Sequence, residues 1–144
     1  MKTQITALPI SVLVLNEDPV TCLPTTTIRE AARLMADRSV GSIVVMEGDR
    51  PVGIFTERDF LKKIAPLDQD IRNEPISKFM TPNPKSLPID APISKAMILM
   101  RLGRFRHILL QKKDGQFVGV LSIKDVLNYI CDSLSDGESG AIGR

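Results

Sequence analysis

The sequence predicts an α+β fold made of two copies of one β-α-β-β-α unit, and three observations carry that reading. The stretch Gly53-Ile54-Phe55-Thr56-Glu57-Arg58-Asp59 returns as Gly119-Val120-Leu121-Ser122-Ile123-Lys124-Asp125, with 119 − 53 = 66. Two helical apolar faces repeat the same offsets, Ile28, Ala31, Ala32 and Met35 in one copy and Ile93, Ala96, Met97 and Met100 in the other. In each copy two apolar runs flank a turn and the second run ends in the glycine-led motif, which is the pattern of a hairpin feeding a helix. A capping signal alone is common; a matched repeat of this length calls for duplication of a whole unit.

Residues 1–15 form a lead-in in which Ile10, Val12 and Val14 alternate with Ser11, Leu13 and Leu15, a period that fits a strand or an apolar arm. The first repeat spans 16–65. Asn16-Glu17-Asp18-Pro19 corresponds to Thr81-Pro82-Asn83-Pro84, so turn residues precede a short strand in both copies. Thr25 to Thr27 offer hydroxyl caps to the helix that begins near Ile28, and Asp90 with Pro92 serves the matching helix. Ile43 to Met46 and Pro51 to Phe55 flank a turn at Glu47-Gly48-Asp49-Arg50. Ile108 to Gln111 and Phe117 to Leu121 flank Lys112-Lys113-Asp114-Gly115, where Asp-Gly supplies a positive φ. Residues 66–79, polar and punctuated by proline, read as a linker, and 80–132 as the second repeat. The tail 133–144, rich in Ser, Gly, Asp and Glu, reads as disordered.

Length and composition bound the function. With 144 residues, 43% hydrophobic and 25% charged, the chain suits one soluble domain or two small packed ones. A net charge of +2 and an aromatic content of 4% without Trp argue against nucleic acid as a partner. No apolar run reaches bilayer-spanning length, and the first residues lack the pattern of a secretory signal, so a cytoplasmic protein without membrane partner is expected. Cys22 and Cys131 form no Cys-x-x-Cys pair and each reads as a small buried hydrophobe. A single His cannot furnish a histidine-rich metal site, so no metal is expected.

The chemistry concentrates at the repeated motif. A hydroxyl (Thr56, Ser122) sits at a helix N-cap and an aspartate (Asp59, Asp125) three residues on, so backbone N–H groups at that tip face outward with partial positive charge and suit a phosphate. The same Ser/Thr-x-x-acid spacing is also a capping box, and for either copy alone the cap is the simpler explanation. Arg58 and Lys124 stand between hydroxyl and aspartate, where a long cation reaches a phosphate or is simply solvated. Arg106 and His107 precede a strand of the second copy only; their first-copy counterparts are Gly41 and Ser42. His107 reads equally as a strand residue satisfied by a backbone carbonyl.

Taken together, Met80-Thr81-Pro82-Asn83-Pro84, the Gly-apolar-apolar-Thr/Ser-x-x-Asp turn in both copies and the paired helical faces make the chain resemble a tandem pair of cystathionine-β-synthase-type (CBS) domains, the Bateman module. The resemblance covers about Leu8 to Leu134; the first copy departs from it with Leu15-Asn16-Glu17-Asp18-Pro19 in place of the Met-Thr-Pro signature. It implies two pseudo-symmetric repeats packed through their sheets, with clefts between them for adenine nucleotides. It implies that Asp59 and Asp125 accept hydrogen bonds from ribose hydroxyls and that Thr56 and Ser122 contact phosphate, and it sets Arg106 and His107 at a place where the family presents basic side chains to phosphates. The basic pair in one repeat predicts unequal occupancy. A phosphate facing His107 predicts affinity that falls as pH rises through the titration of its imidazole.

The leading functional expectation is a non-catalytic regulatory module that binds AMP, ADP, ATP or NAD as a regulatory ligand, needs no cofactor, pairs as a homodimer and signals to a separate regulated protein. The alternative is a homodimeric interaction scaffold that binds no nucleotide. An enzyme ranks last, because no nucleophile–base spacing and no Gly-x-x-x-x-Gly-Lys-Ser/Thr phosphate loop is present.

Overall fold

The computed structural model describes residues 2–13 and 18–138. In chain order its elements are α1 (Lys2–Ala7), β1 (Thr21–Cys22), α2 (Ile28–Arg38), β2 (Ser42–Glu47), β3 (Arg50–Thr56), α3 (Glu57–Asp59), β4 (Thr81–Pro82), β5 (Ser86–Pro88), α4 (Ile93–Gly103), β6 (His107–Gln111), β7 (Phe117–Ser122) and α5 (Ile123–Glu138). Helix α3 runs directly into a π-helical turn, Phe60–Ile64, and 3₁₀ turns lie at Ile10–Val12 and Ile76–Lys78. The order strand, helix, strand, strand, helix occurs twice, as the duplication predicts.

The described residues form two compact units, one of residues 18–85 and one of residues 2–13 with 86–138. In the first, β1 pairs parallel to β2, β2 antiparallel to β3, and β3 antiparallel to β4. Thr27 caps α2 by accepting from Glu30 N at 3.1 Å, and the apolar stripe Ile28, Ala31 and Met35 is buried against Ile43, Val45, Phe55 and Ile64. In the second unit β5 pairs parallel to β6 and β6 antiparallel to β7, with Ile93, Ala96 and Met100 of α4 buried against Ile108, Leu110 and Leu121. The bulges match as well, falling between Val45 and Met46 in one hairpin and between Leu110 and Gln111 in the other. Gly115 has φ of 89°, the positive value its turn requires.

The structure divides the chain elsewhere than the sequence boundaries do. Residues 66–79, read as a linker, carry Ile76, whose side chain is fully buried in the first unit. Ile76 N donates to Thr26 O at 2.7 Å and Ile28 N to Glu74 O at 3.0 Å. The lead-in does the same for the second unit: Ile10 is fully buried, Ile10 N donates to Ala91 O at 2.8 Å, and Ile93 N donates to Leu8 O at 2.9 Å. The physical cause is shared. A helix start leaves amides without intrahelical acceptors, and in each unit a segment outside the repeat, after it in the first and before it in the second, supplies a carbonyl and a buried isoleucine.

Helix α4 therefore begins differently from its sequence reading, since Pro92 is its N-cap position and Asp90 instead faces Lys113 at 3.8 Å. The Thr81–Pro82 strand closes the edge of the first sheet by pairing with β3. The lead-in is a helix and a 3₁₀ turn, with residues 14 and 15 outside the described set. Helix α5 continues to Glu138, past the expected start of the tail, because Val126, Tyr129 and Ile130 hold it to the core; residues 139–144 lie outside the described residues. Cys131 is exposed on α5 and Cys22 half-buried, so only Cys22 approaches the buried role expected of both.

Candidate functional site

Each unit passes from strand to helix at the duplicated motif. Thr56 N donates to Asp59 Oδ2 at 3.0 Å, and Asp59 N donates back to Thr56 Oγ1 at 3.1 Å. Ser122 N donates to Asp125 Oδ2 at 2.8 Å, and Asp125 N to Ser122 Oγ at 3.2 Å. Both turns are thus reciprocal capping boxes. The hydroxyls and carboxylates predicted from sequence are brought together pairwise, and all four residues are half-buried.

The first amide of each helix is also committed. Glu57 N donates to Gly41 O at 3.0 Å and Ile123 N to Arg106 O at 2.9 Å. Two of the amides expected to face an anion are therefore bonded within the chain at each tip. Still open to an anion at each tip are the hydroxyl proton of Thr56 or Ser122, neighbouring cations and a helix dipole, summed over residues 57–64 in the first unit and over the 16 residues of α5 in the second.

The cations are placed unequally. Arg58 and Lys124 are exposed beside their aspartates. Arg106 is exposed and His107 half-buried at the start of β6, where His107 pairs in register with Ser122. The basic pair thus lies next to the Ser122–Asp125 turn, while Ser42 occupies the corresponding place opposite Thr56.

Sequence reasoning missed Lys63. Its Nζ lies 3.6 Å from Asp59 Oδ1 and donates to Phe79 O at 2.8 Å and to Thr81 Oγ1 at 3.3 Å. The available signal was the Asp59–Lys63 spacing, an i, i+4 acid-to-base pair. At the same offset in the second copy, 63 + 66 = 129, stands Tyr129, which packs against the apolar core. Among the described residues Asp125 forms no ion pair, and its hydrogen bonds are those with Ser122.

Two further groups are electrostatically displaced. Burial pushes the Cys22 thiol up to about 11, against a lowering hydrogen bond from Thr26 and with a smaller push from Glu30. The Arg72 fork, with contacts of 2.9 and 2.8 Å, holds the exposed Asp70 carboxyl well below the usual carboxylate range. Among the described residues no three His, Cys, Asp or Glu side chains group to hold a metal, and no helix is long and apolar enough to cross a membrane.

Two like-built α+β units, each ending its hairpin in a hydroxyl–carboxylate clasp at a helix start, define a tandem-repeat module. Comparison with known proteins gives the family: the CBS domain profile matches residues 1–66 and 76–132, and the chain belongs to the CBS domain family as a tandem pair. It is 36% identical over 110 residues to an uncharacterized 17.7 kDa protein of Acidianus ambivalens, covering 76% of this chain and 65% of that one. It is 29% identical over 112 residues to a CBS domain-containing protein of Arabidopsis thaliana, covering 78% of this chain but 21% of that one. Its fold is similar to a CBS domain protein of Pyrobaculum aerophilum complexed with AMP, at a TM-score of 0.73 and 33% identity, covering 82% of this chain and 89% of that one. The chain thus spans less than two thirds of the length of these two sequence relatives.

Proposed function

We propose that this chain is a non-catalytic regulatory module that binds an adenosine-containing nucleotide (AMP, ADP, ATP or NAD) and passes its occupancy to a separate protein. The observation that carries the reading is the clasp at Ser122 and Asp125. One carboxylate oxygen of Asp125 is held by Ser122 N, and the other is uncommitted among the described residues. A fixed carboxylate with an open oxygen suits the vicinal diol of a ribose, and the nearby Ser122 hydroxyl, Lys124, Arg106 and His107 suit a phosphate. The AMP complex of the 33% identical Pyrobaculum protein supports the ligand class. Thr56, Arg58 and Asp59 form the matching set in the first unit.

Regulation requires differential affinity, because a ligand that binds two arrangements of the module equally shifts neither. A homodimer fits the exposed apolar residues of the second unit, where Leu127 and Leu134 lie on α5 and Ile98 and Leu102 on α4. A cytoplasmic setting follows from the same reading.

The second reading is a scaffold that binds no nucleotide. The observation in its favour is that every hydroxyl–aspartate pair already serves as a cap. Thermal unfolding with AMP, ADP, ATP and NAD separates the two. A true ligand at about 100 times its dissociation constant adds about 2.7 kcal/mol of stability. No shift with any of the four, in the full chain, selects the scaffold.

A further inference from the structure

The Lys63 ammonium has three protons and three partners, Phe79 O at 2.8 Å, Thr81 Oγ1 at 3.3 Å and Asp59 Oδ1 at 3.6 Å. Its contacts tie α3 and its π-helical turn to the segment that enters β4, and they draw on the one oxygen of Asp59 that Thr56 N leaves open. Asp59 is accordingly engaged at both oxygens, with its side chain 19% exposed. In the second unit the equivalent position is Tyr129, which faces the core and offers no cation to Asp125.

We propose that Lys63 is a positioning residue that commits Asp59 to the chain itself, so that the first turn is a structural clasp and the second turn alone takes the ribose of a nucleotide. The inference rests on the nucleotide reading and adds to it the stoichiometry and the residue that sets it. A diol approaching Asp59 must compete with an ammonium already held in place by a backbone carbonyl and a hydroxyl, and among the described residues no cation is ion-paired to Asp125.

Isothermal titration of the full chain with AMP tests this. Wild type binds one AMP per chain, and Asp125→Ala weakens that binding by about tenfold or more, the loss expected for a charged acceptor. Lys63→Met, which keeps the stem and removes the charge, gains a second AMP per chain, and adding Asp59→Ala to it removes that second AMP again. Lys63→Tyr, which places the second unit's residue in the first, is the independent variant should Lys63→Met fold poorly, and it gains the same second AMP. Two AMP per wild-type chain, or one AMP in wild type that stays one in both Lys63 variants, overturns the role of Lys63 while leaving nucleotide binding intact. No AMP bound by wild type or by either Lys63 variant removes the nucleotide reading and this inference with it.

Discussion

At Asp59 and Asp125 one capping geometry meets two different surroundings. Around Asp59 the helix is three residues long before a π-helical turn takes over, Lys63 reaches the carboxylate, and Met80 closes over the strand. A Cβ on Gly53 would collide with the Met80 side chain, so the absence of a side chain there is what admits Met80. Around Asp125 the helix runs for 16 residues and a tyrosine replaces the lysine. Duplication thus preserved the local clasp while the packing around it diverged. Shared short-range geometry does not make two sites equivalent.

The parallel between the units breaks most visibly if their buried anchors are unequal. Ile10→Ala and Ile76→Ala each remove a fully buried side chain, and each is expected to cost about 2–5 kcal/mol in urea unfolding. Hydrogen exchange locates the damage: Ile10→Ala loosens the amides of α4 and β5, and Ile76→Ala those of α2 and β1. An Ile10→Ala variant as stable as wild type contradicts the docked lead-in.

Gly53 sharpens the account of the first clasp. Gly53→Ala is expected to destabilise by about 1–3 kcal/mol through overpacking against Met80. A Gly53→Ala variant as stable as wild type in chemical denaturation removes the claimed closure by Met80. Thr56→Ala and Ser122→Ala each delete one cap acceptor and are expected to cost about 1 kcal/mol. The two losses should be similar, since the clasp itself is the shared part.

The smallest expected effect on stability is at the cysteines, and it is read as a rate. With Cys22 pushed up to about 11, its thiolate fraction at pH 8 is about one in a thousand, so alkylation with iodoacetamide at pH 8 modifies exposed Cys131 first. The Cys22 rate then rises about tenfold per pH unit until the pH nears 11. The folded thiol titrates above its ordinary value of 9.0, so the native state favours the protonated form. The corresponding contribution to stability is present below pH 9 and is lost as the pH climbs toward 11. A Cys22 that reacts as fast as Cys131 at pH 8 contradicts its burial.

The residues that sequence alone resolved act over one turn of chain. Thr27 capping α2, Gly115 in its hairpin and the Thr56–Asp59 and Ser122–Asp125 boxes depend on partners two to four residues away, and their spacing is written in the order of amino acids. So are the apolar stripes of α2 and α4, because helical period turns spacing into a face. Lys63 was half legible: its i, i+4 relation to Asp59 is local, but its bonds to Phe79 and Thr81 are not. The docking of Ile10 beside Ala91 and of Ile76 beside Thr26, the strand at Thr81–Pro82, and the fit of Met80 over Gly53 were decided by the tertiary structure. Each joins segments far apart in sequence, where free helix-start amides, an open sheet edge and a gap in the core select a partner by position in space. No spacing rule along the chain encodes that selection.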